Sequence, residues 1–272
     1  MTQELEALVQ MEYPGRFIIV GKSIADETIV CYGVTGRSPS SQTRTFGKGN
    51  NTYTIRTQVT DMKQLETGSP ALLIYPAIAF HQNAVVASNG AQTKLLYTEL
   101  RINMDLEHSP EMLRDHPGMH RVFCNDVMNR ALEQSFYEYD EKQDRWIDLA
   151  SYEPDDPNFT PRINLVTLGN QAALSVIGKR DQEPYTSQYE IILQPGLGRL
   201  VSTYEGENKN PLPSFKGVPR HVILPWETPE ETVRQVFEAL HQELRVCAIT
   251  AYVGKENIRI ARIDRHTNEV KS

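Results

Sequence analysis

The sequence predicts an α+β fold in which sheet packs on sheet with helices outside, and three observations carry that reading. β-branched runs open the chain, two helical patterns follow, strand patterns return, and a last helix precedes two more strands. That order lacks the regular strand–helix alternation of a parallel α/β protein, so the strands are expected to pair antiparallel under covering helices. The 272 residues, at roughly 150 per domain, permit one large domain or two small ones. No stretch of linker composition divides the chain, and 1–272 reads as a single domain. Hydrophobic residues are 39% and charged residues 23%, an ordinary globular balance that excludes a mainly disordered or fibrous protein.

Residues 3–10 place Leu5, Leu8 and Val9 on one face of a helix too short to stand without tertiary support. Residues 16–21 and 28–34 are β-branched runs about Ala25-Asp26-Glu27 and predict an antiparallel hairpin. Residues 35–51 are rich in Gly, Ser, Thr and Asn, with Arg37, Arg44 and Lys48 interspersed, and read as a functional loop. Residues 71–75 and 83–87 read as buried strands flanking a Pro-containing turn, closed by Ser88-Asn89-Gly90. Leu95, Leu96, Leu100 and Ile102 predict a helix over 92–104, and Val127, Met128, Ala131, Leu132 and Phe136 a second over 125–137 in the same layer.

After an acidic loop at 152–158, the runs 162–168, 172–179, 188–193 and 197–204 read as a meander of successive strands. Pro211, Pro213 and Pro219 make 205–219 a segment without regular structure, an insertion or lid. Thr228-Pro229-Glu230-Glu231 then marks a helix start, with Thr as N-cap, Pro in the first position and Glu at the capping-box position. Val233, Val236, Phe237, Leu240 and Leu244 form its apolar face, and 246–253 and 258–263 pair as strands across 254–257.

Charge and composition narrow the function. The formal net charge of -7 opposes non-specific binding to nucleic acid, although a local basic pocket remains compatible with it. The longest apolar stretch, 71–80, is broken by Tyr75 and Pro76 and is too short to span a membrane. Acidic Glu4 and Glu6 stand where a secretory signal carries Lys or Arg, so the cytoplasm is the expected location. Cys31, Cys124 and Cys247 are too few and too dispersed for a disulfide framework and read as reduced and buried. His116 and His120 are four apart, but Pro117 and Gly118 break the helix that would align them, so no metal site is expected.

Three polar segments at strand ends remain as candidate sites. Tyr32 to Ser38 delivers a hydroxyl and the Arg37 guanidinium into a Gly-containing loop, chemistry suited to phosphate or a carbonyl oxygen. Ser88-Asn89-Gly90 ends a strand at a helix start, where backbone N–H groups can face an anion or simply form a turn. Between Glu153 and Arg162, carboxylates, an amide, a hydroxyl and a guanidinium crowd one loop, a mixture able to combine a proton carrier with a substrate clamp.

Together with Tyr13-Pro14-Gly15-Arg16, these segments resemble, in order, the signatures of the archaeal-type IMP cyclohydrolase family: Tyr32 with Thr35, Arg37 and Ser38, then Ser88-Asn89-Gly90, then Thr160-Pro161-Arg162-Ile163. The resemblance runs through roughly the first two thirds of the chain. It implies a four-layer αββα sandwich similar to N-terminal nucleophile hydrolases, used without self-cleavage. The implied reaction closes 5-formamidoimidazole-4-carboxamide ribotide to inosine monophosphate and requires no cofactor.

On this resemblance Tyr32, Arg37, Asn89 and Glu153 are the expected catalytic residues, with Tyr32 and Glu153 handling protons. Arg16, Ser38, Gly90, Thr160 and Arg162 are expected to bind substrate, Arg37 and Arg162 at opposite polar ends of one pocket. Asp155 and Asp156 are less favoured, because Pro154 and Pro157 suggest a turn facing outward. The expected partner is a small purine nucleotide, with no nucleic acid or membrane, and self-association is left open. Two other readings are a non-catalytic purine-nucleotide-binding protein and an amide hydrolase using Thr2. Against the latter, Thr2 precedes a helix, whereas an N-terminal nucleophile begins a strand.

Overall fold

The β-branched runs at the start form β1 (Arg16–Lys22) and β2 (Thr28–Thr35), an antiparallel hairpin with Ile18 opposite Tyr32 and Val20 opposite Val30. Every residue of both strands is buried, so this hairpin is covered on both faces. Alternation along the strands sorts the side chains: Ile18, Val20, Val30 and Tyr32 enter one core, while Phe17, Ile19, Ile29 and Cys31 enter another. The computed structural model describes residues 3–49, 51, 53–65, 70–107, 123–133, 136–141, 144–181 and 183–272.

Ahead of the hairpin, a 3₁₀ turn (Gln3–Leu5) runs into α1 (Glu6–Val9). After it come α2 (Pro39–Gln42), β3 (Arg44–Lys48), β4 (Thr54–Val59), α3 (Pro70–Leu73), β5 (Pro76–His81) and β6 (Ala84–Ser88). Two longer helices follow, α4 (Gln92–Glu107) and α5 (Cys124–Glu133), then a small hairpin of β7 (Tyr137–Asp140) and β8 (Arg145–Asp148). The remainder comprises β9 (Arg162–Leu168), β10 (Gln171–Arg180), β11 (Glu183–Ile192), β12 (Leu197–Ser202), β13 (Arg220–Ile223), α6 (Pro229–Glu238), β14 (Arg245–Val253) and β15 (Ile258–Asp264).

The protein is α+β, with two antiparallel sheets of order β13-β12-β1-β2-β14-β15 and β11-β10-β9-β6-β5-β4-β3. A shared core joins them: Ile18, Val30 and Ile249 from the first meet Ile78, Leu165 and Leu174 from the second. On the far face of the first sheet, Leu5 and Leu8 and the Val233, Val236 and Phe237 stripe of α6 cover Ile19, Ile29 and Ala248. On the far face of the second, α4 and α5 lay Leu96, Leu100, Val127 and Met128 over Val86 and Val166. Thr228 caps α6 by accepting from the Glu231 N–H at 3.2 Å, as its sequence predicts.

Several expectations are corrected. Tyr137, expected at the end of the helix over 125–137, opens β7 instead, and Phe136 lies outside the helix. The 35–51 segment is not wholly irregular: Pro39 starts one helical turn and 44–48 pairs with β4 as an edge strand. Residues 71–75 are not a strand, because Pro70 starts the turn α3 and the strand begins at Pro76; a short apolar run carries no periodicity that separates the two. The meander stops after β11, since Gly196, at φ +74°, turns the chain and β12 pairs with β1 and β13 in the opposite sheet. The 205–219 segment lacks regular strands, as expected, but Leu212 and Phe215 anchor it in buried clusters. His116 and His120 lie outside the described residues. No described helix is long and apolar enough to cross a membrane.

Candidate active site

The open ends of β1, β2, β6 and β9 deliver polar side chains to one end of the two-sheet core. Gly15 makes the approach possible: its φ is +74°, and a Cβ there would lie 2.2 Å from Thr203 Oγ1. Its N–H donates to Thr35 Oγ1 at 2.9 Å, which ties the entry of β1 to the exit of β2. Arg16 therefore enters β1 pointing at the loop that precedes β9.

That loop supplies Glu153, only 1% exposed, which gathers the cluster. Its Oε1 accepts from Arg16 Nη2 at 2.8 Å and from Asn89 Nδ2 at 3.2 Å, and lies 3.7 Å from Arg162 Nη1. Asn89 is fixed on both sides, donating to Pro161 O at 2.9 Å and accepting from the Ile163 N–H at 2.8 Å. Arg162 is held by Ser151 O at 2.9 Å and Gln92 Oε1 at 3.2 Å. A Cβ on Gly90 would sit 2.3 Å from Arg162 Nη1, so glycine is what lets that guanidinium pass.

Burial draws both guanidinium groups toward the neutral form. For Arg16 the Glu153 carboxylate and the surrounding phenols of Tyr75, Tyr204 and Tyr32 more than reverse this, and its pKa is raised well above the ordinary value. Arg162 ends lowered, because burial and the neighbouring Arg16 charge outweigh the pull of Glu153. Arg16 Nε is buried with no hydrogen-bond partner.

Beside this cluster lies a cavity of about 230 Å³ walled by Arg16, Glu153, Asp155, Thr160 and Tyr204, with Arg37 and Ser38 also contributing. Arg44 lines it too and is buried, donating to Thr35 O at 3.0 Å and Ser41 O at 2.9 Å. Three guanidinium groups thus border one cavity. Arg37 is exposed, lies over the Tyr13 ring, and donates to Lys209 O at 3.0 Å in the Pro-rich segment. Ser38 caps α2, its hydroxyl accepting from the Ser41 N–H at 3.2 Å.

The sequence-selected residues Arg16, Arg37, Ser38, Glu153 and Thr160 therefore share a cavity, while Asn89, Gly90 and Arg162 form its buried support. Tyr32 stands apart. It is wholly buried in the shared core, its hydroxyl 3.1 Å from that of Tyr75, and burial followed by the Tyr75 neighbour raises its pKa well above the ordinary range.

Asp155 faces inward, contrary to the expectation from its flanking prolines. Its Oδ1 accepts from the Thr160 N–H at 2.6 Å and its Oδ2 from Thr160 Oγ1 at 2.5 Å, whereas Asp156 is exposed. Arg44 and Tyr204 join the expected residues at the cavity: the first comes from the 35–51 run that reads as a functional loop, the second from the end of the 197–204 strand run. The tyrosine–proline–glycine lead to Arg16 is the one local signal near them, since Tyr13 stacks on Tyr204 at 5.8 Å.

A larger cavity of about 510 Å³ lies against α4, lined by Thr54, Arg56, Lys94 and Tyr97 among others. Its Lys94 and Glu138 are 3.8 Å apart and both substantially exposed, unlike the buried charges around Glu153. Desolvated, mutually fixed charges mark the smaller cavity as the candidate site. Among the described residues no group of three or more His, Cys, Asp or Glu is placed to hold a metal ion.

Known proteins resemble the chain over most of its length. A curated protein of Methanococcus aeolicus named IMP cyclohydrolase is 26% identical over 246 residues, 89% of this chain and 95% of that protein. The family model described as IMP cyclohydrolase-like protein matches residues 13–115 and 138–257, a span that begins at Tyr13 and takes in every residue of the Glu153 cluster. With most of its length matched, the chain belongs to the IMP cyclohydrolase-like protein family.

Proposed function

We propose that the protein is an IMP cyclohydrolase, closing 5-formamidoimidazole-4-carboxamide ribotide to inosine monophosphate with loss of water. The observation that carries this reading is Arg16: a buried guanidinium, charged by Glu153, with Nε unpartnered beside a cavity. In the reaction the carboxamide nitrogen attacks the formyl carbon and negative charge develops on the formyl oxygen. A fixed donor at that oxygen stabilises the transition state without reorganising. Both reacting groups belong to one molecule, so the site must hold them in a reactive conformer rather than bring them together.

In this reading Arg16 faces the formyl oxygen, and Glu153, Asn89 and Arg162 hold it there. Arg44 and the rim residues Arg37 and Ser38 face the phosphate end. Tyr32, held neutral in the shared core and away from the cavity lining, is left out of the proton handling expected of it. The layering of helices outside two facing sheets supports the likeness to N-terminal nucleophile hydrolases. Purified protein incubated with the formamido ribotide should yield inosine monophosphate by chromatography against the authentic nucleotide. Tight binding of inosine monophosphate without conversion would instead favour the non-catalytic nucleotide-binding reading.

The two outlying arginines should respond differently to lysine. Arg37→Lys keeps charge at an exposed rim but loses the planar fork, and should lower kcat/KM at least about tenfold with the melting temperature nearly unchanged. Arg162→Lys must abandon Ser151 O or the buried bond to Gln92, and should lower the melting temperature as well. Steady-state kinetics and thermal melts on the same samples check both.

A further inference from the structure

Asp155, Thr160 and Tyr204 form a hydrogen-bonded chain that the assignment above does not use. Thr160 Oγ1 donates to Asp155 Oδ2, so its one proton is committed, and the Tyr204 hydroxyl 2.5 Å away must donate to Thr160. The chain runs in one direction, from phenol to hydroxyl to carboxylate, and all three residues border the cavity. The Thr160 N–H holds the other carboxylate oxygen, and each oxygen retains lone-pair capacity for a substrate proton. Asp155 differs from Glu153 in its partners: its carboxylate is held only by the neutral Thr160 hydroxyl and N–H, whereas Glu153 Oε1 is paired with the Arg16 guanidinium.

We propose that Asp155 is the proton carrier of the ring closure, with Thr160 and Tyr204 as its positioning residues. This rests on the cyclohydrolase reading of the same cavity. As the carboxamide nitrogen bonds to the formyl carbon, the carbonyl electron pair moves to oxygen; Asp155 takes a proton from that nitrogen and returns it to the oxygen, giving the carbinolamine. A second transfer from nitrogen to the hydroxyl releases water as the C=N bond forms. Two protons move from nitrogen to oxygen, and Asp155 ends as the carboxylate it was at the start.

The surroundings suit a carrier near neutrality. Glu153 shares its loop; Arg16 faces it from β1; Tyr204 follows β12; Arg37 and Arg44 lie across the cavity. Burial first, then Glu153, raise the Asp155 carboxyl to about 6, against the lowering effect of the Thr160 bonds and Arg16. The carboxylate needed for the first transfer therefore forms as pH rises through about 6, and activity should fall below it.

The test is the pH profile of kcat for the full chain. Wild type should show an acid limb near pH 6. Asp155→Asn should lower kcat at least about a hundredfold, remove that limb, and leave the affinity for inosine monophosphate within about threefold. Tyr204→Phe, which weakens the Thr160 donation to the carboxylate, should move the limb to higher pH. If Asp155→Asn fails to fold, the wild-type and Tyr204→Phe profiles decide. A limb that persists in folded Asp155→Asn, a flat wild-type profile, or an unmoved limb in Tyr204→Phe would overturn the proposal while turnover, and with it the cyclohydrolase reading, stood. No turnover in wild type would remove both.

Discussion

Glu153→Ala is expected to abolish turnover and to lower the melting temperature by roughly 6–20 °C. The carboxylate is the counter-ion of Arg16 and faces Arg162, all three almost fully buried, with Arg16 Nη2 2.8 Å and Arg162 Nη1 3.7 Å from the same oxygen. Its removal leaves two guanidinium groups facing each other in a low-dielectric site, and breaking one partner of a buried pair costs about 3–5 kcal/mol. At roughly 2–4 °C per kcal/mol for a domain of this size, that gives the stated range. Asn89 would lose an acceptor as well. Glu153→Gln keeps the shape and one acceptor oxygen, so it should melt closer to wild type while remaining strongly impaired in kcat. A differential melt of the two variants against wild type checks the ordering Gln above Ala.

Arg16→Lys separates charge from geometry. Lysine can still pair with Glu153, so the fold should be retained, but all its donors sit on one nitrogen and it cannot bond that carboxylate while placing a second nitrogen where Nε stands. Hydrogen bonds from charged groups contribute about 1.5–3 kcal/mol, and 1.4 kcal/mol is about tenfold in rate, so the loss of the Nε contact predicts a fall in kcat/KM of roughly 10- to 150-fold. Because the lost contact is to an oxygen that becomes anionic only in the transition state, the fall should appear mainly in kcat rather than KM. Steady-state kinetics with a thermal melt on the same preparation tests this. A change confined to KM would place Arg16 on the phosphate instead.

Much of the fold was legible because particular residues carry local signals strong enough to survive tertiary context. Thr228-Pro229 fixes the start of α6 through a side-chain cap and a preset φ, and the runs about Ala25-Asp26-Glu27 could pair only as a hairpin. Strand partnership was less legible: β11 and β12 have similar apolar content, and alternation specifies a face, not which sheet a strand joins. The strands β4, β7 and β8 are short and half exposed, so Thr, Gln, Asp and Arg mask their period.

At the site, Arg16, Asn89, Glu153, Thr160 and Arg162 could be picked out as charged, amide or hydroxyl groups at predicted strand ends and loops. Asp155 could not be oriented, because whether a turn carboxylate faces in or out depends on the Thr160 N–H four residues beyond the next position. Arg44 and Tyr204 are recruited from distant segments: the loop composition around Arg44 does not single it out from Arg37 and Lys48, and Tyr204 ends a run that reads only as strand.

The placement of the reaction in the 230 Å³ cavity is tested most directly by a crystal structure of the protein with inosine monophosphate. The base should lie with the carbon derived from the formyl group beside Arg16 and Asp155, within hydrogen-bond reach through its adjacent nitrogens, and the phosphate should lie toward Arg37 and Arg44. A nucleotide seated instead against α4, between Arg56 and Lys94 in the larger cavity, with the Arg16 and Glu153 cluster untouched, would contradict the account.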